Sequence, residues 1–188
     1  MRRFPFLLCS LLATTLALGQ DSPAASKGVA TQARPAVPPA DSVLAGARRQ
    51  ALRENKNVLV LFHASWCGWC RKMERAMEEP DMKPLFERSF VVRWLTVDET
   101  PGRQQDENPG AKELLTKYKG ADLGIPYFLV FDGNGGFLGD SQMKPGENVG
   151  CPAQDSEVAY FIMLLKRTTK LTPNELAAIA ERFKKNKG

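Results

Sequence analysis

Apolar and polar positions change their spacing several times along the chain, and each change marks an element. An apolar run from Phe4 to about Leu18 comes first, and the stretch from Gln20 to Ala40 then holds no large apolar residue beyond Val29 and Val37. After it, Val43, Leu44, Ala47, Ala51 and Leu52 recur at helical spacing behind Asp41 and Ser42, two residues suited to capping a helix that ends near Asn55 to Asn57. Val58 to Phe62 is apolar without alternation, the pattern of a strand buried on both faces. Cys70, Met73, Ala76 and Met77 share one face of a helix that Pro80 stops.

A short helical piece precedes a second apolar run, Phe90 to Val97, which opens into a polar loop from Asp98 to Gly110. Ala111 to Tyr118 then reads as a helix closed by Gly120. Ile125-Pro126 opens a third strand, Tyr127 to Phe131, and Asp132-Gly133-Asn134-Gly135 turns the chain into Phe137 to Gly139. Two helices follow, one burying Val158, Phe161, Ile162 and Leu165, the other Leu176, Ile179, Ala180 and Phe183. Thr172-Pro173-Asn174-Glu175 starts the second with a capping box and a proline at the first helical position. The order β-α-β-α-β-β-α after the first helix predicts an α/β fold. Its sheet should be mixed, parallel first and antiparallel last.

The 188 residues suit one domain of ordinary size, and 43% apolar with 25% charged residues excludes collagen-like, wholly disordered and multi-span membrane classes. Arg2 and Arg3, the apolar run and Ala17-Leu18-Gly19 read as a secretory signal peptide over residues 1–19. That run is shorter than the roughly 20 apolar residues of a spanning helix, so no stable membrane insertion is expected once it is cleaved. Residues 20–40 read as a flexible Ala/Pro-rich linker and 41–188 as the domain. Removing Arg2 and Arg3 from 26 basic residues leaves 24 against 21 acidic, a net of +3 that argues for no charged partner. The basic end at Lys184, Lys185 and Lys187 suits the helix dipole and reads as a solvated face, not a nucleic-acid site.

Candidate chemistry lies in the cysteines. Cys9 leaves with the leader, while Cys67 and Cys70 stand three apart where the first strand meets a helix. Free backbone N–H groups and the helix dipole favour a thiolate on Cys67, which makes it the expected nucleophile in disulfide exchange and Cys70, expected to be the more buried, the resolving thiol. A permanent disulfide or half of a zinc site are the bland alternatives. Zinc would need two more ligands, and Cys151 and His63 are the only cysteine and histidine left after the leader.

Val58-Leu59-Val60-Leu61-Phe62-His63-Ala64-Ser65-Trp66-Cys67-Gly68-Trp69-Cys70-Arg71-Lys72-Met73 resembles the active-site segment of the thioredoxin family. Gly124-Ile125-Pro126-Tyr127-Phe128-Leu129-Val130-Phe131-Asp132-Gly133-Asn134-Gly135 resembles that family's cis-proline strand and hairpin. The likeness covers about Asp41 to Leu165 and is nearest to secreted or periplasmic single-domain bacterial thioredoxin-like proteins. It implies a thioredoxin-like fold, a central mixed β-sheet flanked by helices, with an extra C-terminal helix. It also implies that Pro126 is cis beside the cysteines and that Ile125 offers its backbone to an extended peptide, with Trp66 and the exposed Trp69 shaping that contact.

Three positions depart from the family. Leu61 stands where thioredoxins proper carry a buried carboxylate, Trp94 where they carry a lysine, and His63 at a place that is often aromatic. This leaves His63, Glu74 or water to accept the resolving thiol's proton, although His63 reads first as a packing residue with a satisfied ring. Cys151 is expected near the rim of the groove formed by Trp69 and Ile125, either as a third, accessory thiol or as an incidental free cysteine. The polar loop 98–110 leaves the same sheet edge as Cys67, where ligand-binding loops gather, and is expected to contribute to partner choice.

The resulting expectation is a periplasmic or secreted thiol-disulfide oxidoreductase that exchanges its Cys-Gly-Trp-Cys pair with protein thiols and disulfides, with no metal or organic cofactor. A non-catalytic thioredoxin-fold binding or chaperone module is the alternative. A reductant dedicated to one partner, as in cytochrome maturation, is a second.

Overall fold

The computed structural model describes residues 36–187. The expected leader, and the linker as far as residue 35, lie outside the described residues. Among the described residues no helix is long and apolar enough to cross a membrane.

Helix α1, Ala40–Glu54, leads into strand β1, Asn57–His63, and then α2, Gly68–Glu78. α3, Lys83–Ser89, precedes β2, Phe90–Thr96, and a 3-10 turn at Gln104–Asp106 precedes α4, Ala111–Lys117. β3, Tyr127–Phe131, and β4, Phe137–Asp140, form the hairpin, followed by a small ribbon of β5, Gln142–Lys144, and β6, Glu147–Asn148. α5, Asp155–Thr168, and α6, Pro173–Lys184, are followed by a 3-10 turn at Lys185–Lys187.

The main sheet runs β2-β1-β3-β4, with β1 parallel to β2 and antiparallel to β3, and β3 antiparallel to β4. Successive side chains of a strand point to opposite faces, and β1 uses both. Leu59 and Leu61 pack with Phe128 and Val130 under α2, α3, α5 and α6; Val58, Val60 and Phe62 pack with Tyr127, Leu129 and Phe131 under α1 and α4. The unbroken apolar run of β1 is therefore the signature of a central strand with a core on each side.

Several expectations are corrected. Asp41 and Ser42 do not cap α1: the helix starts at Ala40, which is buried, with Pro39 at the cap position and no side-chain cap. The Ala40 N–H is satisfied by the Pro109 carbonyl at 2.8 Å, so a tertiary contact replaces the side-chain cap. Leu52 is 55% exposed, because the buried stripe of α1 runs along Ala40, Ala47 and Ala51. In α5, Leu164 fills the core where Ile162 was expected, and Ile162 is half-buried. α5 touches both the sheet and α6, so its apolar face is wider than one stripe. In α6 Ala180 is likewise half-buried, and Leu176, Ile179 and Phe183 make the core contact. The β5–β6 ribbon is too short and polar to leave a pattern in the sequence.

Candidate active site

β1 ends at His63, and the chain turns through Ala64 to Cys67, whose N–H donates to the Ala64 carbonyl at 3.1 Å. Cys67 is the N-cap of α2 in extended conformation, and its sulfur accepts the Cys70 N–H at 3.0 Å. A helix leaves its first N–H groups without intrahelical partners, and here one of them is spent on the Cys67 sulfur. Cys67 and Cys70 form a disulfide with their Cα atoms 5.3 Å apart. The expected difference in burial between them is absent, at 3% and 2% exposure, because both are packed against Ala64 and Ile125 in the closed pair.

The Ile125–Pro126 peptide bond is cis, and the Ile125 carbonyl oxygen lies 3.5 Å from the Cys67 sulfur. Asn148, which the sequence reading missed, holds this segment. Its side-chain amide lies 3.1 Å from each of the carbonyls of Leu123, Gly124 and Pro126 as a donor, while its oxygen accepts the Gly150 N–H at 2.9 Å. One asparagine thus joins the β6 ribbon to the loop before β3. An Asn at the end of a short polar ribbon carries no sequence signal for this role, since the carbonyls its amide bonds are more than 20 residues away.

Trp66 and Trp69 flank the disulfide and are 52% and 47% exposed. Each is pinned at one point. The Trp66 indole N–H donates to the Asp98 carbonyl at 2.7 Å, and the Lys72 ammonium sits 4.3 Å above the Trp69 ring. Trp69, Ile125, Pro126, Gly150 and Cys151 line a groove of about 290 Å³ beside the disulfide.

The loop that follows β2 is bonded to the active-site turn. The Glu99 carboxylate accepts the Ser65 N–H and the Ser65 hydroxyl, both at 2.7 Å, and the Arg103 guanidinium donates to the same hydroxyl at 3.0 Å. Arg71, on α2, donates to the Ser65 carbonyl at 2.7 Å. Burial alone would raise the Glu99 pKa, but the two Ser65 bonds and the Arg103 charge outweigh it and hold the carboxyl below its ordinary value. Glu99 is the second residue the sequence reading missed: it looked like one more charge in a polar loop.

The remaining expected site residues fall as follows. The His63 ring is 3.3 Å from the Thr96 hydroxyl and 5.2 Å from the Trp94 ring, and burial lowers its pKa against the opposing pull of Glu74 and Glu99. Leu61 is fully buried in the α2 side of the core. Cys151 stands in the groove wall but is 5% exposed and accepts a bond from the Asn186 amide at 3.3 Å. Burial pushes its pKa up to about 12, so it is a thiol at neutral pH and not the nucleophilic thiolate.

The family described as Thioredoxin-like matches residues 40–133. Among solved structures, a disulphide isomerase from Xylella fastidiosa Temecula1 shares 20% identity over 87% of this chain and 100% of its own, with a TM-score of 0.48. A DsbH oxidoreductase shares 22% over 75% and 95% at a TM-score of 0.43, and a thioredoxin from Thermus thermophilus 22% over 70% and 86% at 0.41. No curated protein matches the chain. The family match spans half of the sequence and takes in the cysteine pair, the strand before it and the cis proline, and on that ground the chain belongs to the thioredoxin-like family.

Proposed function

We propose that this protein is a thiol-disulfide oxidoreductase of the cell envelope acting on protein substrates. The observation that carries the reading is the Cys67–Cys70 disulfide at the head of α2, with the Cys70 N–H on the Cys67 sulfur and the Ile125–Pro126 segment alongside. In the reducing direction the Cys67 thiolate attacks one sulfur of a partner disulfide. That S–S bond breaks, a mixed disulfide with Cys67 forms, and the first partner sulfur leaves as a thiolate. The Cys70 thiolate then attacks the Cys67 sulfur and expels the second partner thiolate. Two electrons have passed to the partner and the Cys67–Cys70 disulfide is restored. The oxidising direction reverses both steps.

The N–H groups at the start of α2 stabilise the thiolate that attacks and leaves. The groove beside Pro126 offers backbone and apolar contact to an extended peptide, and the two exposed tryptophans extend that surface. The envelope location rests on the leader expected in residues 1–19.

Turnover of insulin disulfides with dithiothreitol as reductant tests the reading. Wild type is expected to accelerate precipitation and Cys67→Ser to abolish the acceleration. Equal rates for the two would leave the chain as a binding module with a structural disulfide.

A further inference from the structure

Asn186 sits in the 3-10 turn after α6 and is 5% exposed, a polar side chain placed under cover with every atom engaged. Its amide nitrogen donates to the Cys151 sulfur and the Pro152 carbonyl, both at 3.3 Å. Its side-chain oxygen accepts from Arg182 at 3.0 Å, and Arg182 in turn bonds Glu79, at the end of α2, at 2.6 Å. Its backbone carbonyl accepts the Lys72 ammonium at 3.2 Å. That ammonium is the one lying over the Trp69 ring.

One residue far from the disulfide in sequence therefore meets both sides of the groove. Trp69 and Lys72 belong to α2, which forms one wall; Gly150 and Cys151 belong to the loop that forms the other. Burying an amide costs free energy unless its bonds are made, and a buried polar network with every member satisfied fixes one arrangement of the groups it joins. An apolar residue would cover Cys151 equally well. What the asparagine side chain adds is direction: its amide ties the turn to the Cys151–Pro152 loop and so holds its own backbone carbonyl where the Lys72 ammonium bonds it.

We propose that Asn186 is a positioning residue which, through Lys72, sets Trp69 and the Cys151 loop at the spacing that receives a protein substrate. It does so without touching the reacting sulfurs. The proposal deepens the oxidoreductase reading and rests on it for its effect on substrate. The clasp itself is a matter of structure, and Cys151 reports on it without any turnover: covered by Asn186, its sulfur is screened from reagents.

The test compares Asn186→Ala and Lys72→Met with wild type in three measurements: insulin turnover, the redox potential of the Cys67–Cys70 couple, and maleimide labelling of Cys151 in the oxidised protein. Asn186→Ala frees the turn whose carbonyl anchors Lys72, and Lys72→Met removes the ammonium over Trp69; each is expected to raise KM for insulin roughly two- to fivefold, with kcat and the potential unchanged. Labelling is expected to quicken about tenfold in Asn186→Ala, whose amide covered the sulfur, and not to quicken in Lys72→Met, where the amide stays and loss of the ammonium charge only favours the thiol. An unchanged KM in both variants overturns the proposal. So does a shifted potential with kcat and kcat/KM falling together, since the residue would then act on the redox couple. Should wild type show no Cys67-dependent turnover, the oxidoreductase reading falls, and labelling alone decides the clasp: faster in Asn186→Ala keeps it, unchanged ends it. Lys72, partly exposed on α2, keeps the test open if Asn186→Ala fails to fold.

Discussion

Glu99 shows how one side chain can fix a turn that no regular element holds. Ser65 lies between the end of β1 and the start of α2, where the backbone has no ladder or helix to bond with, and Glu99 supplies acceptors for both its N–H and its hydroxyl. Because the folded-state pKa of Glu99 lies below that of the unfolded chain, its stabilisation is present above the ordinary carboxylate value and is lost as pH falls through the folded one. Glu99→Gln keeps an acceptor but loses the charge, so it should be less stable than wild type at pH 7 by about 1 kcal/mol in urea unfolding, the gap closing below about pH 4. A gap that does not vary with pH would show that the charge is not what holds Ser65. Asn148 belongs to the same class of residue. Asn148→Ala should loosen the segment before β3 and raise KM for insulin about threefold or more, with the fold retained by circular dichroism.

At the scale of elements, the two C-terminal helices complete one of the two cores. Leu164 and Leu165 of α5 and Leu176, Ile179 and Phe183 of α6 pack with Phe86 and Phe128 on the α2 side of the sheet. Leu164 is fully buried, so Leu164→Ala should cost about 2–5 kcal/mol in urea unfolding, and a value under 1 kcal/mol would mean that α5 is not docked as described. The start of α6 is set locally: Thr172 accepts the Glu175 N–H and Glu175 accepts the Thr172 N–H, the reciprocal box that the sequence spells out. Arg88 and the Thr172 bonds hold the Glu175 carboxyl at about 2. Thr172→Ala should cost about 1 kcal/mol, read in the same denaturation series.

For the molecule as a whole, the disulfide, the two pinned tryptophans and the loop after β2 follow the C-terminal ends of the parallel strands β1 and β2. Cys151 belongs to the groove wall but is only 5% exposed, with its sulfur bonded by the Asn186 amide. Its thiol is therefore expected to be silent toward maleimide in the native oxidised protein at pH 7 and to react fully once the chain is unfolded in urea. Prompt reaction in the native state would show that the turn at Lys185–Lys187 opens readily.

Local pattern determined much of this protein. The unbroken apolar run of β1, the cysteines at the head of α2, the hairpin turn after β3 and the capping box of α6 are interactions between near neighbours, so spacing and residue type suffice to reveal them. The mixed sheet followed from the order of elements. Tertiary structure alone decided where the polar side chains went. Glu99 finds Ser65 across 34 positions and Asn186 finds Cys151 across 35, and a charge or amide with distant partners is indistinguishable in sequence from a solvated one. Tertiary contact likewise replaced the side-chain cap of α1 with the Pro109 carbonyl and gave Leu164 the place in the core. The reason is the same in each case. Periodicity records which face of an element is apolar, whereas the partner of a buried polar atom depends on which other element arrives beside it.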